Sequence, residues 1–202
     1  MSGRILARGA RVHLRSLSQS DRDEFLERVR ASRRLHRPWA YPPDSSEAFD
    51  AFLRRNRSKA NRAMLTCRNE DRAIAGYFRL SQISMGPFES AYLGYYAFSP
   101  FERTGAMSEG LRLVLAYAFE QAGLHRVQAN IQPGNTRSIA LVRRAGFVKE
   151  GYARRYLKVG GRWRDHEHWV IFAEDFRRPA GSPRHSVGGR RSPPPAAGPP
   201  NG

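Results

Sequence analysis

The sequence predicts an α/β (α+β) domain with one mixed sheet covered by helices on both faces. Three observations carry that prediction. Apolar residues alternate with polar ones in several short runs, and elsewhere recur at the i, i+3, i+4, i+7 spacing of an amphipathic helix. Two helical patterns stop at a glycine, Gly123 and Gly146, where a left-handed residue ends a helix without a Cβ penalty. Two late strand patterns flank Val159-Gly160-Gly161, a strong hairpin signal.

Taken in order, the alternation Ala10-Arg11-Val12-His13-Leu14-Arg15 reads as a strand. A helix follows with Ser20 or Asp21 as its cap and Phe25, Leu26 and Val29 as its apolar stripe. The segment His36-Arg37-Pro38-Trp39-Ala40-Tyr41-Pro42-Pro43 cannot be helical throughout, because each proline removes a donor and restricts its predecessor. Ser45-Ser46-Glu47 starts a second helix to about Arg55. Strands are expected at Ala63–Arg68 and Ala73–Ile83, joined by the polar turn Asn69-Glu70-Asp71, and at Ala91–Phe98. The main helix spans Thr104–Ala122, with Leu111, Val114, Leu115 and Ala118 on one face. A short strand His125–Ile131, a helix Asn135–Ala145 and closing strands Phe147–Lys158 and Arg162–Ala173 complete the order β-α-α-β-β-β-α-β-α-β-β.

At 202 residues the chain can bury one real core and is short for two. No run approaches the ~20 apolar residues of a membrane span, and Met1–Leu6 lacks the apolar core of a secretory signal. The one cysteine, Cys67, excludes an internal disulfide and fits a reducing cytosol. It lies in an alternating apolar run and reads as a buried structural thiol.

The net charge is +17. Lys59, Lys149 and Lys158 are the only lysines, a bias toward arginine that genome composition produces as easily as selection for nucleic acid. A positive surface draws polyanions, whether coenzyme phosphates, ribosomal RNA or an RNA-bound protein. Aromatics are not interleaved with basic residues as in a stacking platform, which argues against sequence-specific nucleic-acid binding. The 26 residues after Phe176 hold seven prolines, five glycines and five arginines with no acids. That tail cannot offset its ordering entropy, so it is expected to be disordered.

Ser99–Phe147 is the stretch richest in chemistry. A strand end runs into the loop Glu102-Arg103-Thr104-Gly105-Ala106-Met107 and straight into the main helix. Such a junction aims unpaired N–H groups and the positive end of a helix dipole at one point, which binds phosphate without a charged side chain. A second strand and a second helix N-terminus follow at Pro133-Gly134-Asn135-Thr136-Arg137-Ser138. The arrangement suits a diphosphate with a long arm, for which acyl-coenzyme A is the obvious candidate.

Several strings are similar to the GNAT acyltransferase superfamily, and within it to the RimJ/RimL branch, especially the RimJ-type ribosomal-protein alanine N-acetyltransferases. They are Ser90-Ala91-Tyr92-Leu93-Gly94-Tyr95, His125-Arg126-Val127-Gln128-Ala129-Asn130, Pro133–Ser138, Gly146-Phe147-Val148-Lys149-Glu150-Gly151-Tyr152-Ala153, and Tyr156-Leu157-Lys158 leading to Gly161-Arg162-Trp163-Arg164-Asp165-His166. The resemblance covers residues 9–176 and leaves 177–202 as the tail. It implies the GNAT fold, a single mixed, mostly antiparallel sheet with helices on both faces.

The resemblance implies that acetyl-CoA is the co-substrate and that no metal takes part. Its diphosphate would lie on the backbone amides of Arg103, Thr104, Gly105, Ala106 and Met107, with Ser108 or Thr104 adding a hydroxyl. The family pattern there is usually Gln-x-x-Gly-x-Gly/Ala. Here Glu102 stands first and Met107 last, leaving Gly105 as the only glycine and a negative charge near phosphates unless Glu102 points away. Tyr96, Ala97 and Phe98 would pair their backbone with the pantetheine arm, on a strand that carries a bulge splaying it from the next. A freed N–H there can stabilise the oxyanion; the aromatic side chains are equally at home as core.

Asn135 is a natural N-cap and faces the same cleft. Ser138 matches the serine that RimL-type enzymes are thought to use near the leaving thiolate, while the position of the common GNAT tyrosine acid is Val142. An α-amino group of pKa about 7.7–8.0 needs only a modest base. Candidates are Glu89, Glu109, Glu150 and Asp165, with Glu109 also explained as a dipole-complementing residue and Asp165 as a cross-strand partner. Arg155 stands where RimL-type proteins have a glutamate proposed as base. His166 and His168 share a strand face without a third metal ligand and read as strand-surface histidines. Trp39 either lines the acceptor cleft or anchors its loop.

The expected activity is direct transfer of acetyl from acetyl-CoA to the N-terminal α-amine of a protein, a ribosomal protein with N-terminal alanine first. The expected setting is the cytoplasm, away from membranes, with ribosome association. Two alternatives stay open: a small-molecule amine of the aminoglycoside kind as acceptor, or a ribosome-associated assembly module that catalyses weakly. The sequence is silent on oligomeric state.

Overall fold

The computed structural model describes residues 3–176; the tail 177–202, expected to be disordered, lies outside the described residues. Eight strands form one sheet in the order β1-β2-β3-β4-β5-β6-β8-β7. They are β1 (Ile5–Arg8), β2 (Val12–Ser16), β3 (Asn61–Arg68), β4 (Ile74–Ser84), β5 (Ser90–Ala97), β6 (Arg126–Ile131), β7 (Val148–Val159) and β8 (Arg162–Phe172). β5 and β6 run parallel; every other neighbouring pair is antiparallel. The helices are α1 (Arg22–Ala31), α2 (Arg33–His36), α3 (Ser46–Arg55), α4 (Ala106–Ala116) and α5 (Thr136–Arg144).

The two sheet faces bury two separate cores. On one face Leu111, Val114, Leu115 and Ala118 are fully buried against Leu14, Phe78, Leu80 and Val127, so the predicted stripe of the main helix is its packing face. On the other, Phe25 of α1 sits edge-on to Phe49 of α3 and to Phe98, with ring centroids at 5.3 and 5.4 Å. Cys67 belongs to this second core, and burial pushes its thiol up to about 11. It is inert as a nucleophile at neutral pH. Among the described residues no helix is long and apolar enough to cross a membrane.

Three expectations need correction or addition. β1 adds an eighth strand ahead of the first one expected, pairing Ile5 with Arg15 and Arg8 with His13; its pattern is too short to declare itself without that partner. Asp21 is the cap of α1 as expected, but a 3-10 turn over Gln19–Asp21, capped by Ser18, precedes it, and the Asp21 carboxylate accepts from the Ser18 N–H (2.7 Å) and Oγ–H (2.9 Å). The main helix is α-helical only to Ala116 and widens into a π turn over Tyr117–Gln121 before Gly123 (φ +67°) closes it.

Asp21 also anchors Arg15 through two bonds of 2.8 and 2.9 Å, both residues being under a tenth exposed. Removing one member of such a pair strands the other's charge in the interior. Asp21→Ala should therefore cost about 3–5 kcal/mol of unfolding free energy in a denaturant titration; a loss below 1 kcal/mol would mean that water screens the pair.

Candidate active site

β5 and β6 pair in register from Ser90↔Arg126 to Leu93↔Ala129 and then part, although β5 runs on to Ala97 and β6 to Ile131. The bond from Phe98 N–H to Ala75 C=O (2.9 Å) sets the antiparallel alternation between β4 and β5. By that alternation Gly94 and Tyr96 bond to β4, while the N–H and C=O groups of Tyr95 and Ala97 point toward β6, beyond the last paired residue. The result is a slot through the sheet, lined by free main-chain groups. It opens without the expected bulge: β4–β5 register is continuous from Gly76↔Ala97 to Ser81↔Tyr92, and the irregularity lies between Ser81 and Ser84 at the far end.

A cleft of about 1290 Å³ runs through this slot. On one side stand the N-termini of α4 and α5, each of which presents first-turn amides lacking a carbonyl partner one turn back. Gly105 caps α4 at φ +87°, a conformation that costs a residue with a Cβ dearly, and Arg103 before it sits at φ +66°. Asn135 caps α5 by accepting from the Ser138 N–H (3.2 Å), so its local role is structural as well as cleft-lining. The two ends open on the same cleft, which Arg103 and Arg137 also line, an arrangement chemically suited to an anion.

The opposite side is closed by a strap, residues 36–43, which rises from α2. His36 is buried and donates from Nε2 to the Ala97 C=O (2.8 Å), tying the strap to the slot's edge. Burial holds its pKa below the usual histidine value, so the ring is neutral at pH 7. Trp39 does both things the sequence allowed: it lines the cleft, and its C=O accepts from Gln132 at 3.5 Å.

The candidate residues separate. Tyr96, Ala97, Arg103, Gly105, Met107, Ser108, Asn135 and Ser138 line the cleft. Phe98 is fully buried in the second core, Ala106 is buried in the first, and Thr104 donates to the Phe101 C=O (2.7 Å). Glu102 reaches the cleft with Oε1 turned to the Ser99 hydroxyl (3.2 Å). None of the four carboxylates considered as base lines the cleft. Glu109 is clamped by Arg11 through its N–H (2.9 Å) and Nε (3.1 Å). Asp165 accepts from Tyr152 Oη (2.5 Å) and from the Arg155 N–H (2.8 Å), bonds that hold its pKa below the usual carboxylate value. Glu150 pairs with Arg126, and Glu89 is exposed at the start of β5.

Two side chains that sequence reasoning passed over stand in the cleft. Tyr95 Oη lies 2.5 Å from Ser138 Oγ, and burial pushes its phenol well above the usual range, so it stays protonated. His166 is only 3% exposed and lines the cleft, so it is not a strand-surface histidine. The repeated Tyr95-Tyr96 pair and the alternation through His166 signalled buried faces, but not which face meets a cavity.

Comparison with known proteins places this geometry. A model described as "Acetyltransferase (GNAT) domain" matches residues 11–148. The "[Ribosomal protein uS5]-alanine N-acetyltransferase" of Escherichia coli (strain K12) is 39% identical over 107 residues, 53% of this chain and 55% of that protein. The chain spans little more than half the length of the curated relatives it matches, 59% and 55% for two of them. The solved structure "Mycobacterium smegmatis RimJ in complex with CoA-disulfide" superposes with a TM-score of 0.74 at 26% identity, covering 81% of this chain and 82% of that one. A spermidine N-acetyltransferase from Vibrio cholerae in complex with CoA and spermine shares the fold, with a TM-score of 0.70 at 18% identity over 81% of this chain and 96% of that one.

His13, His36 and His166 all have pKa values lowered, chiefly by burial. An unfolded chain protonates these rings near pH 6.5, where the folded protein does not. Stability should therefore be full above pH 6.5 and fall as the pH drops below it. Thermal melts at fixed ionic strength should give a lower Tm at pH 5.5 than at pH 7.5; an equal or higher Tm would show that the rings are solvated.

Proposed function

This chain belongs to the GNAT acetyltransferase family, and on that premise we propose that it transfers acetyl from acetyl-coenzyme A to the N-terminal α-amino group of a protein, a ribosomal protein with N-terminal alanine foremost. The observation that carries the proposal is the slot between β5 and β6. It fits the coenzyme chemically: amides at two helix N-termini and two arginines for phosphates, then the Tyr95 main-chain groups and the Ala97 N–H, turned toward the slot, for an extended amide-bearing arm. When bound there, the coenzyme supplies an acetyl thioester. The reaction proposed is direct, in a ternary complex and without an acyl-enzyme.

The protein's own contribution is placement and proton handling. The Ala97 N–H, aimed into the slot, is positioned to donate to a carbonyl oxygen gaining charge. Ser138 Oγ, held 2.5 Å from Tyr95 Oη, serves as the hydroxyl that protonates a departing sulfur. A thiol of pKa about 8.5 needs only such modest help. Tyr95 orients Ser138 and keeps its hydroxyl hydrogen-bonded in a buried place.

The acceptor class rests on charge. Eight arginines line the cleft against two carboxylates, Asp44 and Glu102. Arg103 and Arg137 lie with the two helix N-termini, and Arg33, Arg34, Arg37, Arg55, Arg79 and Arg144 line the rest of the cleft. Like charges ~8 Å apart repel by roughly 0.5–2 kcal/mol between the dielectric of water and that of a protein surface. A polyamine or aminoglycoside, carrying several ammonium groups, would meet that repulsion repeatedly. A protein N-terminus brings one amine, and the same field favours its neutral, attacking form. The family resemblance and the basic surface support a cytoplasmic, ribosome-associated setting for the reaction.

Incubation with acetyl-CoA and total ribosomal protein, followed by intact-mass measurement, should add a single acetyl group, about 42 Da, to one N-terminus. Acetylation of spermidine in preference to any protein would overturn the acceptor assignment. Ser138→Ala should lower turnover about 10- to 100-fold while leaving coenzyme affinity within twofold by calorimetry; unchanged turnover would remove Ser138 from the chemistry.

A further inference from the structure

We infer that His166 is the general base, taking the proton from the acceptor amine on the face of the slot opposite Ser138. The inference rests on the acetyltransferase reading and supplies the residue that reading lacks, since none of the carboxylates considered as base reaches the cleft.

Position comes first. β8 pairs with β6 as far as Ile131↔Glu167, so His166 is the next residue along, opposite the point where β6 has already left β5. Trp169 and Ile171 of β8 pack in the core beneath α4 and α5, as Leu93 and Tyr95 of β5 do. Strand alternation then turns His166 to the other face, shared with Tyr96 and with the strap. Ser138 and Tyr95 thus border the slot on the α5 side and His166 borders it on the acceptor side. A thioester threaded between them would present its sulfur to one and its carbonyl carbon to an amine arriving from the other.

Tautomer comes second. His166 Nδ1 lies 3.0 Å from the Arg164 C=O. A carbonyl only accepts, so Nδ1 carries the proton and Nε2 is left with its lone pair. The ring is buried and lies tilted by 60° against Tyr156, with centroids 5.9 Å apart. The groups facing it are Tyr156 of β7, with Tyr92 of β5 behind that phenol, and Arg164, Asp165 and His168 of its own strand. Burial, the largest influence, disfavours a second proton, as does His168; the Arg164 carbonyl and Asp165 favour one without reversing the lowered pKa. The ring therefore enters the reaction neutral, able to accept.

The step balances simply. The amine nitrogen bonds to the acetyl carbon as the carbon–sulfur bond breaks and sulfur leaves with the electron pair. The nitrogen's surplus proton passes to His166 Nε2 and from there to solvent. Of the two carboxylates that line the cleft, Asp44 pairs with Arg33, and Glu102 follows the slot end of β5 with Oε1 accepting from the Ser99 hydroxyl.

The test uses the full chain, acetyl-CoA and a synthetic peptide with N-terminal alanine. His166→Gln and His166→Ala should bind coenzyme as the parent does and lose about 100-fold in kcat at pH 7. The acid limb of the parent's kcat–pH profile should vanish in both, replaced by a rate rising steadily with pH. A merely structural histidine would lower activity without removing that limb. Variant turnover within threefold of the parent, or a retained acid limb, overturns the inference. So does histidine NMR of the parent at pH 7 that finds the proton on Nε2, a readout independent of any variant's folding. A parent that binds coenzyme yet transfers nothing to peptide, ribosomal protein or polyamine would overturn the acetyltransferase reading itself, and would be seen before any variant is made.

Discussion

Everything in this molecule that bears on function follows from one interruption in a hydrogen-bonded ladder. β5 and β6 are parallel neighbours for four residues, and then each continues alone. Such a break would be costly in the middle of a sheet if the freed groups were sealed in. Here they are not. β5 remains bonded to β4 along its length, β6 remains bonded to β8, and apolar side chains of both halves share the core beneath α4. The core beneath α4 joins the two halves across the face of the sheet, so the ladder can stop pairing and leave a slot without the halves separating. One freed carbonyl, that of Ala97, is satisfied by His36, and the others face the cleft.

The slot gains its chemistry from what the chain delivers to its two faces. Two helix N-termini converge on one face and contribute amide donors whose orientation is fixed by helix geometry, not by side-chain conformation. The other face receives a strap that cannot be helical because of its prolines, fastened by the His36 bond and by Trp39 against Gln132. Arginines dominate both faces. In a partly enclosed cleft their field is less screened than on an open surface, and under the proposed function it would bear on coenzyme phosphates and acceptor amine in opposite senses. It would attract the first and discourage protonation of the second. Histidine suits such a place better than a carboxylate base would. A carboxylate there would be drawn into ion pairs, as Glu109, Glu150 and Asp165 are drawn into polar contacts elsewhere in this chain.

Local signals in the sequence were enough for the strands and helices that bury a regular stripe. Leu111, Val114 and Leu115 declare α4, Ala118 carries their stripe into the π turn, and Gly123 and Gly146 close that helical run and α5, because periodicity and capping depend on neighbours a few residues away. Signals failed where the deciding partner is distant. β1 exists because β2 offers it an edge. Ser18 is a cap because Asp21 folds back while also holding Arg15. The expected bulge in β5 is absent because the strands diverge by simply ceasing to pair.

By itself the sequence determined the order of elements, the mixed sheet with helices on both faces, the anion-binding junction at Gly105, and the family resemblance. Each is written in spacing and residue type along one continuous stretch. Only the tertiary structure decided which polar side chains share a cavity. It set Tyr95 against Ser138 across 43 positions and turned His166 inward, while fixing Glu109 and Asp165 to structural partners outside the cleft. The reason is physical. Alternation along a strand gives the parity of a side chain, but whether that parity points to core, solvent or cleft depends on what the rest of the chain packs against it.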